Sequence, residues 1–168
     1  MSPSASPGAD ATAATPVQLA IVDESITRLR DQAGALLPIL HDIQEQLGFV
    51  PPQAVERIAK GLNLSNADVH GVLTYYHDFR QQAPGRHVLK LCRAESCKSM
   101  GCDSLEALLK QRGVGMHETA SDGSLTVEPV YCLGNCALSP AMLLDGKLLG
   151  RVTEQRLTAI VDSLGGGA

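Results

Sequence analysis

Two stretches of the sequence decide how the rest of the chain is interpreted: Cys92-Arg93-Ala94-Glu95-Ser96-Cys97 and Cys132-Leu133-Gly134-Asn135-Cys136. They hold four of the five cysteines, in the pattern C-x4-C, a gap of 34 residues, and C-x3-C. Each pair is close enough in sequence for two sulfurs to converge on one metal ion, and the gap has room for a helix and a strand that bring the pairs together. The pattern therefore predicts one metal site with four thiolate ligands.

The spacing alone leaves the identity of the metal open. Four cysteines can hold a [2Fe-2S] cluster, but they can also hold a structural zinc ion, so the ligand count does not decide between iron and zinc. Unrelated thiols are the third alternative. A dithiol couple of the thioredoxin type needs C-x-x-C, which the sequence does not contain. Cys102 lies outside the pattern and is predicted to be a spare thiol.

Both cysteine pairs follow segments that are predicted to be strands. The segment 87–91 runs directly into Cys92, and the segment 125–130 leads to Cys132. We therefore expect the ligands in loops just after strands, where backbone N–H groups can face sulfur. Gly134 in the second loop can take a positive φ and leaves space beside a metal, although an ordinary turn glycine fits equally well.

Composition and charge exclude several classes of function. The 168 residues carry a net charge of −4 at pH 7, and no run of Lys and Arg indicates a nucleic-acid surface. The sequence has no secretory signal pattern and no apolar run long enough to cross a bilayer, so we expect a cytoplasmic protein without membrane insertion. Nucleotide-binding and nucleophile motifs are absent, and the five histidines are dispersed. We predict no catalytic residues in a chain that carries electrons at most.

The hydrophobic pattern predicts an α+β chain in three parts. Residues 1–14 have the composition of a flexible tail. Residues 15–82 are predicted to form a helical bundle, because apolar residues recur at helical spacing. Residues 86–168 are predicted to form a compact unit of sheet and helices in the order β-α-β-β-β-α.

Capping signals set the predicted helix boundaries in the first part. Thr15 and Gln18 form a capping box, Gly48 and Gly61 are stop signals, and Ser65 is an N-cap. The predicted helices cover about 16–30, 35–47, 52–60 and 66–76.

Turn and strand signals organise the last part of the chain. Asp145-Gly146 predicts a type I′ turn in a hairpin, Thr153 predicts the cap of the last helix, and Pro129 predicts an edge or a bulge. The predicted strands cover 87–91, 125–130, 142–144 and 147–149, and the predicted helices cover 104–111 and 153–164.

Several motifs together resemble a known family over about residues 35–164. The motifs are Ala35-Leu36-Leu37-Pro38-Ile39-Leu40-His41, then 44–51, Val69-His70-Gly71-Val72, Tyr75-Tyr76, 101–109, the two cysteine stretches and Pro140. They are similar to the thioredoxin-like [2Fe-2S] subunit of the NADH-dehydrogenase module of respiratory complex I, the 24 kDa subunit, and of related soluble enzymes.

The resemblance implies a ligand set and a fold. The family's ligands match Cys92, Cys97, Cys132 and Cys136, which implies a [2Fe-2S] cluster with the first pair on one iron and the second pair on the other. Cys102 is not a ligand in that pattern. The resemblance favours iron over zinc, and it implies a helical bundle followed by a thioredoxin-like [2Fe-2S] ferredoxin domain.

Within the family, one stretch is most similar to the gamma subunit of soluble, molybdenum-containing NAD-dependent formate dehydrogenases: His70-Gly71-Val72-Leu73-Thr74-Tyr75-Tyr76-His77-Asp78-Phe79-Arg80. This implies that formate is oxidised at a molybdenum cofactor in a catalytic partner subunit, and that NAD⁺ is reduced at FMN in another. The cluster would exchange single electrons with that FMN. An equivalent subunit of complex I or of an NAD-reducing hydrogenase is the alternative, and a zinc-stabilised interaction module is an alternative of another class.

Overall fold

The computed structural model describes residues 14–165, and the chain divides into two compact units between Ala83 and Pro84. Within the described residues there are seven α-helices and one five-stranded sheet, which confirms the α+β class. Apart from Ala14, the predicted flexible tail lies outside the described residues. None of the helices between residues 14 and 165 has the length and apolarity that crossing a bilayer requires.

The first unit contains four helices, and the capping signals at Thr15, Gly48 and Ser65 mark three of their ends. At the first helix, Thr15 Oγ1 accepts from the Gln18 backbone N–H at 3.2 Å, and Gln18 Oε1 accepts from the Thr15 N–H at 2.8 Å. Ser65 and Asp68 form the same reciprocal box at the fourth helix. Gly48 ends the second helix with a φ of 81°, as predicted. The helices are α1 (Pro16–Leu29), α2 (Leu36–Leu47), α3 (Ala54–Leu62) and α4 (Asn66–Tyr75).

Buried aliphatic side chains hold these helices together. Helix α1 packs against α2 and α3, and α3 packs against α4. Burying a side chain of this size contributes roughly 1.5–3 kcal/mol relative to leaving it in water. The fully buried members of this core are Val22, Ile39, Leu40, Ile43, Val50, Ala54, Ile58 and Val69.

Gly61 does not stop the third helix, which corrects the prediction. Helix α3 continues to Leu62 and ends at Asn63, which takes the left-handed conformation with a φ of 55°. Gly61 instead permits close packing of α3 on α1, since a Cβ at this position would lie 2.6 Å from Ile26 Cγ2. A glycine that serves helix packing and one that serves as a cap look alike in a single sequence.

A carboxylate links α1 and α2. Asp42 accepts from the Ser25 hydroxyl at 2.6 Å and from Gln46 Nε2 at 2.9 Å, and it pairs with Arg28. Partial burial acts to raise the pKa of Asp42. Hydrogen bonds from Ser25, Arg28 and Gln46 lower it by more than burial raises it, so the net pKa lies below its usual range. The ionised form is therefore the one that stabilises the folded unit.

We expect Asp42→Asn to flatten the acid limb of the stability curve. A lowered folded-state pKa stabilises the protein above the unfolded pKa of about 4, and this contribution is lost as pH falls through the folded value. The variant should be less stable than the parent near neutral pH and should lose less on acidification. Thermal unfolding between about pH 6 and pH 3 measures both effects. Asp31→Asn is the matched control, because Asp31 is 94% exposed, and equal acid limbs in parent and Asp42→Asn would contradict the prediction.

The second unit combines a five-stranded sheet with three helices. Its elements are β1 (His87–Cys92), α5 (Glu95–Ser99), α6 (Cys102–Gln111), β2 (Glu118–Thr119), β3 (Leu125–Val130), β4 (Met142–Leu144), β5 (Lys147–Leu149) and α7 (Glu154–Gly165). The sheet is mixed and has the strand order β2-β3-β1-β4-β5. Strands β1 and β3 are parallel neighbours, with Cys92 opposite Val130, and the other pairings are antiparallel.

The turn and cap predictions in this unit are confirmed. Asp145 and Gly146 have φ values of 49° and 79°, as a type I′ turn requires, and the Arg156 N–H is capped by Thr153 Oγ1 at 3.2 Å. Pro129 belongs to β3, which lies between β2 and β1 in the sheet. Strand β2 pairs only with Thr126 and Val127, so β3 is an edge on that side at Pro129 and needs no N–H there. The core beneath the sheet includes the fully buried residues Leu89, Leu91, Val127, Met142 and Leu157.

Helix α5 and strand β2 were not predicted from the sequence. Helix α5 has five residues and β2 has two, so neither is long enough to show a hydrophobic period. Helix α6 also begins two residues earlier than predicted, at Cys102. Helix α5 overlaps the first cysteine stretch, where a loop was expected.

Candidate metal centre

The two cysteine pairs follow adjacent parallel strands. Cys92 is the last residue of β1 and lies opposite Val130 of β3, and Cys132 follows two residues later. Because the carboxyl ends of neighbouring parallel strands meet at one edge of a sheet, both pairs lie at the same edge. The gap between the pairs holds helix α6 and strands β2 and β3, and the spacing had predicted room for a helix and a strand there.

The first pair is buried. Cys92 and Cys97 are each 3% exposed, and they pack with Cys102 and Ala141. Cys97 lies on α5 rather than in a loop, which corrects that part of the prediction. The first turn of this helix carries Glu95, and Ala94 precedes it in an extended conformation.

Local hydrogen bonds act on both buried sulfurs. Burial raises the pKa of Cys92, although backbone hydrogen bonds from Ala94 and Leu133 oppose the rise. Burial also acts to raise the pKa of Cys97, but hydrogen bonds with the Ser139 hydroxyl, the Ala141 backbone and Cys92 outweigh it and hold that pKa below its usual range. Backbone groups thus lie beside both sulfurs, and the Ser139 hydroxyl lies beside Cys97 alone.

The second pair is exposed, and its backbone has an unusual conformation. Cys132 has a φ of 120°, which a non-glycine residue adopts only under strain, and such strain concentrates at functional sites. Gly134 has a φ of 70°, as predicted, and its N–H lies 3.4 Å from Cys132 Sγ as a donor. A short 3₁₀ helix from Cys136 to Leu138 follows.

The four sulfurs influence one another electrostatically. Repulsion from Cys132 is the main cause that raises the pKa of Cys136, and Cys97 and Cys92 add to it. Thiolates that repel each other are stabilised by a bound cation, and soft thiolate ligands suit iron–sulfur clusters and zinc. The donor set therefore fits a thiophilic metal. The thiols lie as one buried and one exposed pair, and among residues 14–165 no three or more His, Cys, Asp or Glu side chains are grouped so that they could hold a single metal ion.

Cys102 and Arg93 lie beside the pairs. Cys102 is 1% exposed, and burial, with a smaller contribution from Asp103, raises its pKa. Arg93 Nη2 contacts Glu106 Oε2 at 2.9 Å, so its charge is paired with a carboxylate of α6. Neither residue is required by the ligand pattern.

Two functional candidates were missed from the sequence. Ser96 and Ser139 place hydroxyls beside the cysteines, and Ser139 Oγ lies 3.5 Å from Cys97 Sγ. Serine is common in loops, and nothing in its spacing marks these two residues. Only the position of Ser96 between two candidate ligands offered a signal.

Two curated relatives of this chain carry the same name. The chain is 32% identical over 143 residues to the E subunit of NADH-quinone oxidoreductase from Pseudomonas aeruginosa, covering 84% of this chain and 86% of that protein. The protein of the same name from Escherichia coli K12 is 30% identical over 142 residues, with coverage of 84% and 86%.

A solved structure shares the fold. The crystal structure of an NAD⁺-reducing [NiFe]-hydrogenase in the H₂-reduced state matches with a TM-score of 0.66 and 22% identity. The match covers 79% of this chain but only 22% of the hydrogenase chain, so the protein spans about a fifth of that chain's length.

The family match covers both units of the chain. Residues 22–165 match the family described as thioredoxin-like [2Fe-2S] ferredoxin, which confirms the expected family and the thioredoxin-like fold. The range contains every residue of the two cysteine stretches. The chain is therefore a member of the thioredoxin-like [2Fe-2S] ferredoxin family.

Proposed function

We propose that this protein is the electron-transfer subunit of an NAD(H)-linked oxidoreductase complex, with a [2Fe-2S] cluster held by Cys92, Cys97, Cys132 and Cys136. The observation that carries the proposal is the meeting of the two cysteine pairs at one edge of the sheet, in a chain of this family. When bound, such a cluster takes up and releases one electron at a time.

The two pairs have different roles in this proposal. Cys92 and Cys97 anchor one iron in the interior, where both residues are 3% exposed and hydrogen bonds hold the pKa of Cys97 below its usual range. Cys132 and Cys136 hold the other iron at the surface, since both are exposed. Tyr131 and Leu138 flank this pair, and both are exposed apolar side chains. An FMN-carrying partner subunit would approach from the exposed side.

The proposal has two versions, which differ in the complex to which the subunit belongs. The named relatives are NADH-quinone oxidoreductase subunits and an NAD⁺-reducing hydrogenase, and they favour a complex of those types. The formate dehydrogenase version, with a molybdenum-containing catalytic subunit, is supported by the stretch 70–80 alone. In that stretch Tyr75 is 76% exposed and Tyr76 is 44% exposed, with ring centroids 5.0 Å apart. Exposed aromatic pairs of this kind suit a protein interface.

Co-purification distinguishes these complexes. The full chain, tagged and isolated from its native cells, should bring with it a subunit that contains FMN and binds NAD. A molybdenum subunit and formate-dependent NAD⁺ reduction would support the formate dehydrogenase version. Quinone-reductase or hydrogenase subunits, with NADH or H₂ as the effective reductant, would support the other types. Isolation without any flavin subunit would contradict the proposal.

Metal analysis tests the cluster itself. Protein purified without oxygen should contain iron and acid-labile sulfide at about two of each per chain, and the reduced form should give the EPR signal of a [2Fe-2S] cluster. A zinc-stabilised interaction module is the second candidate, because four thiolates also suit zinc. One zinc ion per chain with no iron would exclude the electron-transfer function.

A further inference from the structure

A buried hydroxyl joins the two cysteine segments. Ser139 is 8% exposed, and its Oγ lies 3.5 Å from Cys97 Sγ and 2.9 Å from the carbonyl oxygen of Cys136. Ser96 Oγ lies 2.9 Å from Ser139 Oγ and 3.4 Å from the same carbonyl. A side chain that lies three residues after the second cysteine stretch thus contacts a sulfur of the first pair, and the hydroxyl of Ser96 supports it.

The direction of these hydrogen bonds depends on the proton of Cys97. When Cys97 is a thiol, its S–H donates to Ser139 Oγ, and the Ser139 hydroxyl donates to the Cys136 carbonyl. A metal-bound Cys97 has no proton, so the contact persists as a hydrogen bond only if the Ser139 O–H turns toward sulfur. Ser139 Oγ can then accept from Ser96, which lies within reach. Rotation about one C–O bond is sufficient, and no heavy atom has to move.

We propose that Ser139, supported by Ser96, donates a hydrogen bond to the cluster-bound sulfur of Cys97 and thereby raises the reduction potential of the cluster. The inference rests on the proposed function, since it requires the cluster. Reduction adds negative charge to the cluster and its thiolates, so a donor directed at one of these sulfurs stabilises the reduced state more than the oxidised state. Ser139 is a positioning residue that acts through Cys97, and the buried site strengthens its effect.

Substitution of the hydroxyl tests the proposal in the full chain. We expect Ser139→Ala to keep about two iron and two sulfide per chain and to lower the equilibrium constant for reduction about tenfold, which is a fall of about 59 mV for one electron. EPR-monitored redox titration measures the shift. Ser139→Thr keeps the hydroxyl and should stay near the parent potential. Ser99→Ala is the matched control, because Ser99 is exposed and its hydroxyl donates to the Ser96 carbonyl rather than to sulfur.

Each outcome separates this inference from the proposed function. A parent protein without iron would defeat the proposed function, whereas a loaded Ser139→Ala protein with the parent potential would overturn only the role of Ser139. An equal fall in Ser139→Thr would also overturn it, because shape rather than the hydroxyl would be responsible. If Ser139→Ala does not retain the cluster, the reduction potential of Ser96→Ala is measured instead. A fall in potential smaller than that expected for Ser139→Ala supports the role of the two hydroxyls, and an unchanged potential overturns it.

Discussion

Cys132→Ser is expected to lose the cluster or change its EPR spectrum strongly, whereas substitution of Cys102 leaves the cluster in place. Serine differs from cysteine by one atom, but its hydroxyl is a poor ligand for iron in an iron–sulfur cluster. Cys132 is exposed, so the substitution leaves no buried cavity and removes no core contact. A loss of iron would therefore report the ligand itself and not a general loss of folding.

The comparison with Cys102 needs a suitable variant. Cys102 is 1% exposed, and burying a serine hydroxyl there costs roughly 1–3 kcal/mol if it finds no partner. Cys102→Ala avoids that cost and should retain the full iron and sulfide content with a modestly lowered melting temperature. Metal content, EPR and thermal unfolding of the two variants, measured side by side, check the ligand assignment. An unchanged spectrum in Cys132→Ser, or loss of iron in Cys102→Ala, would overturn it.

Local signals predicted much of the secondary structure because they act over a few residues. The capping boxes at Thr15 and Ser65 and the turn at Asp145-Gly146 are decided by contacts within one turn of chain. The pairing of β1 with β3 is different in kind. It joins residues that are far apart in sequence, and no local pattern states that the two strands are parallel neighbours. The thioredoxin-like fold was expected from resemblance and not from spacing.

The candidate site was predictable in its thiols and not in its surroundings. Cysteine pairs at close spacing are rare enough to carry information, so the sequence alone marks Cys92 and Cys132, with their partners, as candidate ligands. The hydroxyl of Ser139 was not recognised, because its meaning arises only when β1 and β3 bring the two segments together. The role of Gly61 likewise depends on a residue far away in sequence, Ile26 of another helix, so the local pattern wrongly predicts a helix stop there.

Gly150, which follows β5, permits close packing of residues 135–138, the part of the chain that contains Cys136. A Cβ on Gly150 would lie 2.7 Å from Leu138 Cβ, 2.8 Å from Asn135 Nδ2 and 2.9 Å from the Leu138 carbonyl oxygen. The last of these is a backbone atom, so the strain cannot be relieved by a side-chain rotation alone. The Arg151 N–H also donates to the Leu138 carbonyl at 2.6 Å, and displacement of the segment would weaken this bond.

We expect Gly150→Ala to destabilise the second unit by roughly 1–3 kcal/mol, the usual cost of overpacking, and to lower the cluster content. The cluster is affected because Cys136 lies between the two residues that the new methyl group displaces. Gly71→Ala is the matched control: a Cβ on Gly71 meets no atom within 4 Å, and replacing a helical glycine by alanine favours the helix by about 1 kcal/mol. Thermal unfolding and iron content check both variants. If Gly150→Ala kept the parent's iron content and melting temperature, the segment around Cys136 would tolerate displacement, and tight packing against Gly150 would not be what holds the second pair in place.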